Sequence, residues 1–123
     1  MFMNKCFYTF CLLLFCSIVH AQQEGLIKNK DAAIYYRIFG TGTPILIING
    51  GPGMNSDGFT PLAKRLSANN QTIIYDQRGT GRSILQKLDN TTITLDLMVE
   101  DIEVLRKPLN ITKWIILGHS FGG

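Results

Sequence analysis

The sequence predicts an α/β fold built on a mostly parallel sheet, and three observations predict it. Short apolar strand patterns alternate with amphipathic helix patterns after an opening hairpin, an order that lays helices over both faces of one sheet. The runs Ile45-Leu46-Ile47-Ile48 and Trp114-Ile115-Ile116-Leu117 are continuously apolar, as strands buried on both faces are. Glycine-rich or turn-rich segments follow directly on the strand patterns at residues 50–53, 76–83 and 118–123.

Residues 1–21 read as a secretory signal peptide. Lys5 supplies the positive start, residues 6–19 the apolar stretch, and Val19-His20-Ala21 a cleavage site. A membrane span needs about 20 apolar residues, and this run is shorter. Residues 22–123 are then expected to be exported, to a periplasmic or extracellular location, with no membrane attachment after cleavage. Cys6, Cys11 and Cys16 all lie in the leader, so the mature chain uses neither disulfides nor cysteine-bound metal. No metal and no cofactor is expected. The formal net charge of +3 falls further when Lys5 is removed, too little to argue for nucleic acid.

The elements follow in order. Residues 25–30 and 33–39 form two short strands around the turn Asn29-Lys30-Asp31. Residues 44–49 form a buried strand that Gly50-Gly51-Pro52-Gly53 breaks. Phe59, Leu62, Ala63 and Leu66 have helical spacing over residues 59–68, and Pro61 is tolerated in the first turn. Residues 72–75 form a further strand. Leu95, Met98, Val99, Ile102 and Leu105 mark a second helix, with Thr94 as its N-cap, Asp96 at the positive end of its dipole and Pro108 stopping it. Glu100, Asp101 and Glu103 read as its solvated face. The connections are expected to be right-handed crossovers. The three turns would then leave the carboxyl ends of parallel strands, where open α/β sheets place their ligands.

The last of these turns, Gly118-His119-Ser120-Phe121-Gly122, is a G-x-S-x-G pattern directly after a strand. That is how a nucleophilic serine is carried on a sharp strand-to-helix bend, with Gly118 and Gly122 where side chains would clash. By itself the pattern also occurs as a plain glycine loop; the strand in front and the two turns upstream favour catalysis. A serine nucleophile needs a histidine base and an acid, and in such a fold both follow it in the chain. The two histidines are His20, in the leader, and His119, inside the bend and poorly placed to act as its base. The chain therefore reads as the front portion of an enzyme, truncated after the bend and inactive by itself.

Taken together, Asn49-Gly50-Gly51-Pro52-Gly53, Asp76-Gln77-Arg78-Gly79-Thr80-Gly81-Arg82-Ser83 and Gly118-His119-Ser120-Phe121-Gly122-Gly123 resemble the proline iminopeptidase branch of the α/β-hydrolases, serine peptidases that remove N-terminal residues from peptides. The resemblance covers nearly all of residues 22–123 and implies the α/β-hydrolase sheet, of which this chain would supply about the first five strands. It implies Ser120 as the nucleophile, with the backbone N–H groups of Phe121 and Gly51 as the oxyanion hole, and a small peptide, amide or ester as substrate. Asp76 precedes the serine and is not the acid the family uses. With Arg78, Gly79, Gly81 and Arg82 it reads as an ion-paired, hydrogen-bonded turn that braces the rim. Asn49 stands where the family usually has His, and the bend lacks the tryptophan common in strict proline iminopeptidases. Two other readings stand beside this one. One is an esterase or lipase-like hydrolase with the same machinery; the other is a non-enzymatic product, either a remnant or one half of a split protein that binds a complementary C-terminal half. A nucleotide-binding P-loop is set aside, because no Gly-Lys-Ser/Thr follows any glycine loop.

Overall fold

A computed structural model describes residues 22–51 and 53–123; the signal peptide expected at 1–21, and Pro52, lie outside the described residues. The chain forms β1 (Gln23–Asn29), β2 (Ala32–Phe39), β3 (Thr43–Ile48), α1 (Thr60–Leu66), β4 (Asn70–Tyr75), β5 (Ile84–Leu85), α2 (Leu95–Arg106) and β6 (Ile115–Gly118). The sheet runs in the order β1-β2-β4-β3-β6, with the two-residue β5 paired to β2 beside the hairpin turn. β1, β4 and β5 pair with β2 antiparallel, whereas β4, β3 and β6 are parallel. Among the described residues the parallel part is thus three strands wide. β5 had no counterpart in the sequence pattern, because two residues are too few to show a period.

β3 is the centre of the molecule, and its alternation sorts the core onto two faces. Leu46 faces one side, with Ile34, Tyr36, Ile38, Ile73, Tyr75 and Leu105 of α2. Ile45 and Ile47 face the other, with Phe39, Ile74 and Ala63 of α1. Leu46, Ile73 and Ile74 are 0% exposed, and burying a side chain of this size contributes about 1.5–3 kcal/mol. The continuous apolar run of β3 is explained by these two covered faces.

α1 is short and enters through a 3-10 turn at Asp57–Phe59, with a proline in its first turn. α2 is capped as its sequence indicates: the Thr94 hydroxyl accepts a hydrogen bond from the Leu97 N–H at 3.2 Å.

Two expectations are corrected. Of the three acidic residues read as a solvated face of α2, Asp101 does not belong to it, whereas the Glu100 and Glu103 side chains stay 39% and 46% exposed. Asp101 is 1% exposed, Glu100 pairs with Lys30 and Glu103 with Arg106. Nor is the whole apolar stripe of α2 core. Leu105 is buried and Ile102 packs on the sheet, but Leu95 and Val99 are exposed and line a groove of about 190 Å³ with Tyr75 and Phe121. Among the described residues β6 likewise lies at the end of the sheet, pairing with β3 alone, and Ile115 and Ile116 are more than half exposed. Of its apolar run, which reads as a strand covered on both faces, Trp114 and Leu117 pack against the core, while Ile115 and Ile116 are not covered by the described residues.

Candidate active site

β6 delivers its last residue, Gly118, to the carboxyl end of the parallel strands. His119 is still extended, its N–H donating to the Ile48 carbonyl at 3.1 Å. Ser120 then takes φ = 55°, in the left-handed region that costs a non-glycine residue of order 1–3 kcal/mol. The backbone closes at once into a 3-10 turn over Ser120–Gly122, with Gly122 N–H on the His119 carbonyl at 3.0 Å and Gly123 N–H on the Ser120 carbonyl at 3.1 Å. Two close approaches make this bend possible. A methyl group on Gly118 would run into the Gly122 carbonyl, and one on Gly122 into the Ile48 carbonyl. Both obstacles are backbone, which no rotamer change can move aside.

The first glycine loop lies against the bend. A methyl group at Gly50 would come within 2.9 Å of both the His119 carbonyl oxygen and Ser120 Cβ. Between loop and bend opens a cleft of about 310 Å³ lined by Gly50, Gly51, Met54, Phe59, His119 and Ser120. Gly51 (φ = 74°) forms the loop's turn, and its N–H meets no acceptor among the described residues. Ser120 is exposed in this cleft, and its hydroxyl has no hydrogen-bond partner there. The His119 ring packs on Phe59, with ring centroids 5.5 Å apart and planes at 57°.

The second turn, after β4, supports this rim. Asp76 is fully buried and its carboxylate accepts from Ser56 N–H at 2.8 Å, Ser56 Oγ at 2.7 Å and Arg82 N–H at 2.8 Å. It fastens the far end of the glycine loop to the turn, and Gly81 passes directly over that carboxylate. Arg82 holds Asp57 at 3.1 Å and lies over the Tyr35 ring. The Arg82 hydrogen bond keeps the Asp57 carboxyl below its ordinary value. Arg78 turns the other way, under the sheet. Its Nε and Nη2 bond both oxygens of Asp101 at 2.7 and 2.8 Å, and its Nη1 donates to the Thr92 carbonyl at 2.8 Å. The hydrogen bond to Asp101 raises the Arg78 pKa above its ordinary value. Gly79, next to it, packs on Ile93 and Leu88.

Several participants were not read from the sequence, among them Asp57, Ser56, Asp101 and Gln77, whose Nε2 donates to the Asn49 carbonyl at 2.9 Å. Gln77 and Ser56 carry no local signal. Asp101 does carry one, since it stands four residues from both Leu97 and Leu105, a carboxylate within an apolar stripe. Among the described residues, no group of three or more His, Cys, Asp or Glu side chains is placed to hold a metal ion.

A serine at positive φ on a tight turn after a strand, facing a glycine loop across the ends of parallel strands, is the backbone geometry that a G-x-S-x-G bend of the α/β-hydrolase type requires. The alpha/beta hydrolase fold family matches residues 43–123, more than half of the chain, and the chain belongs to that family. About four fifths of the chain is similar to proline iminopeptidases. It is 36% identical over 102 residues to the proline iminopeptidase of Heyndrickxia coagulans, covering 80% of this chain and 35% of that protein. With the proline iminopeptidase of Clostridioides difficile (strain 630) the identity is 35% over 104 residues, 81% of this chain and 35% of that one. The crystal structure of a proline iminopeptidase-related protein from Thermus thermophilus superposes with a TM-score of 0.77 at 28% identity, over 83% of this chain and 37% of that one. The chain spans about a third of the length of the curated relatives it matches.

Proposed function

We propose that residues 22–123 carry the nucleophile and the oxyanion hole of a serine hydrolase of the proline iminopeptidase type, an exported aminopeptidase that works through an acyl-enzyme on Ser120. The observation that carries this reading is the left-handed Ser120, φ = 55°, held in a cleft against the Gly50-Gly51 loop. In this reading Phe121 N–H and Gly51 N–H receive the charge that develops on the substrate carbonyl oxygen. Each such donor is worth roughly 2.7–4 kcal/mol to the transition state. The bond chemistry is acyl transfer: Ser120 Oγ attacks the carbonyl carbon, a base takes the hydroxyl proton and returns it to the leaving amine, and water releases the acyl group.

The base and acid are not found among the described residues. His119 is turned onto Phe59, and the buried Asp76 is committed to Ser56 and Arg82. We assign both groups to a C-terminal half, joined to this chain or separate from it, which packs over the exposed Leu95, Val99, Ile115, Ile116 and Phe121. Two facts support that assignment: the apolar face is uncovered among the described residues, and the matched relatives are about three times as long.

A fluorophosphonate probe tests the proposal. Residues 22–123 alone are expected not to label rapidly, whereas the same residues completed by the C-terminal half are expected to label at Ser120, with labelling abolished by Ser120→Ala. Rapid stoichiometric labelling of residues 22–123 alone, or labelling of the completed protein at another side chain, would overturn it. Hydrolysis of a prolyl arylamide ahead of short acyl esters separates the aminopeptidase from an esterase.

A further inference from the structure

The orientation of one peptide group decides whether the glycine loop offers the cleft a donor or an acceptor. The peptide bonds of the described chain are trans, so the Gly50 carbonyl and the Gly51 N–H point in opposite directions. A peptide between two glycines is also the easiest in a chain to turn over, since neither flanking residue has a Cβ to resist. Turned over, this one would aim a carbonyl oxygen where an oxyanion has to be received.

The Asn49 side chain holds the carbonyl of this peptide. Asn49 is 2% exposed, and its side-chain NH2 donates to the Gly50 carbonyl at 3.1 Å and to the Met54 carbonyl at 3.0 Å. Its own backbone carbonyl is held in turn by Gln77 Nε2 at 2.9 Å. Both hydrogens of the amide are thus spent on the two ends of the loop, while its Oδ1 is buried with no partner among the described residues. A buried polar atom without a partner is unfavourable. Asn49 therefore sits in this orientation for what its N–H groups do.

We propose that Asn49 is a positioning residue for the oxyanion hole: by gripping the Gly50 carbonyl it keeps the Gly51 N–H turned toward Ser120, and Gln77 fixes Asn49 in place. The inference rests on the reading of Gly51 as an oxyanion donor given above. An aspartate or leucine of similar size could fill the space but could not donate. A histidine, with one ring N–H to give, could hold one end of the loop.

The test joins a spectroscopic measurement to a kinetic one, both made on the protein completed by its C-terminal half. In Asn49→Ala, 15N relaxation dispersion is expected to show microsecond-to-millisecond exchange at Gly51 that is absent from the wild type. With a prolyl arylamide as substrate, kcat is expected to fall by at least about tenfold with KM nearly unchanged, because the lost interaction exists only in the transition state. Asn49→His is expected to recover most of both. Gln77→Met, which removes only the bond to the Asn49 carbonyl, should shift both readouts in the same direction by less, and it carries the test if Asn49→Ala does not fold. A quiet Gly51 in both Asn49→Ala and Gln77→Met would overturn the positioning role whatever happens to turnover. Exchange at Gly51 with kcat unchanged would keep the grip of Asn49 but overturn Gly51 as oxyanion donor, and with it the role in catalysis.

Discussion

Replacing Asp101 by Ala is expected to lower the unfolding free energy by about 3–5 kcal/mol, the cost of leaving a buried charge without its partner. The Arg78 side chain is 0% exposed and the Asp101 side chain 1%. Removing the carboxylate strips Arg78 of two charge-assisted hydrogen bonds and Asn29 of the acceptor for its Nδ2 at 2.7 Å. What remains to Arg78 is the Thr92 carbonyl and a longer contact to Asp31 at 3.4 Å, too little to hold a guanidinium out of water. The loss should be visible in urea unfolding followed by Trp114 fluorescence. The double variant Asp101→Leu with Arg78→Met should regain most of it, since an apolar pair of similar volume often replaces a buried ion pair at little cost. A loss below about 1 kcal/mol for Asp101→Ala would mean that Arg78 reaches solvent, against its burial.

The same ion pair shows what the sequence could and could not reveal. Strands and helices were legible wherever a single periodicity governed a segment. β3 showed it by being apolar at every position, and α2 by its stripe, its Thr94 cap and its terminating Pro108. The bend at Ser120 was legible because glycines at fixed offsets encode backbone clearance, which is a local property. Long-range pairing left much weaker traces. Asn29, Arg78 and Asp101 come from a hairpin, a turn and a helix, and each by itself looks like an ordinary surface residue. Only the position of Asp101 within the apolar stripe hints that a cation must meet it. The link from Gln77 to Asn49 has no such hint, because an amide side chain fits a surface as readily as a core. Exposure of Leu95, Val99, Ile115 and Ile116 could not be read either. An apolar pattern states that a face should be covered, and does not say which part of the protein covers it.

Gly118→Ala is expected to disable the bend while leaving most of the fold intact. The added methyl group meets the Gly122 carbonyl, and the turn can relieve that contact only by moving Ser120 away from the Gly50 loop. A displacement of about 1 Å at a reacting group can cost on the order of 10²-fold in rate, so fluorophosphonate labelling of the completed protein should slow by about that factor. A companion measurement reads the strain without any turnover. Ser120→Gly removes the penalty of the left-handed backbone, whereas Ser120→Ala retains it. The glycine variant should therefore be more stable than the alanine variant by about 1 kcal/mol, the reverse of the order expected at an unstrained position, where Ala is favoured. If the alanine variant proved the more stable of the two, Ser120 would not be held at positive φ. The bend would then be slack, and the serine would have lost the presentation on which its assignment as nucleophile depends.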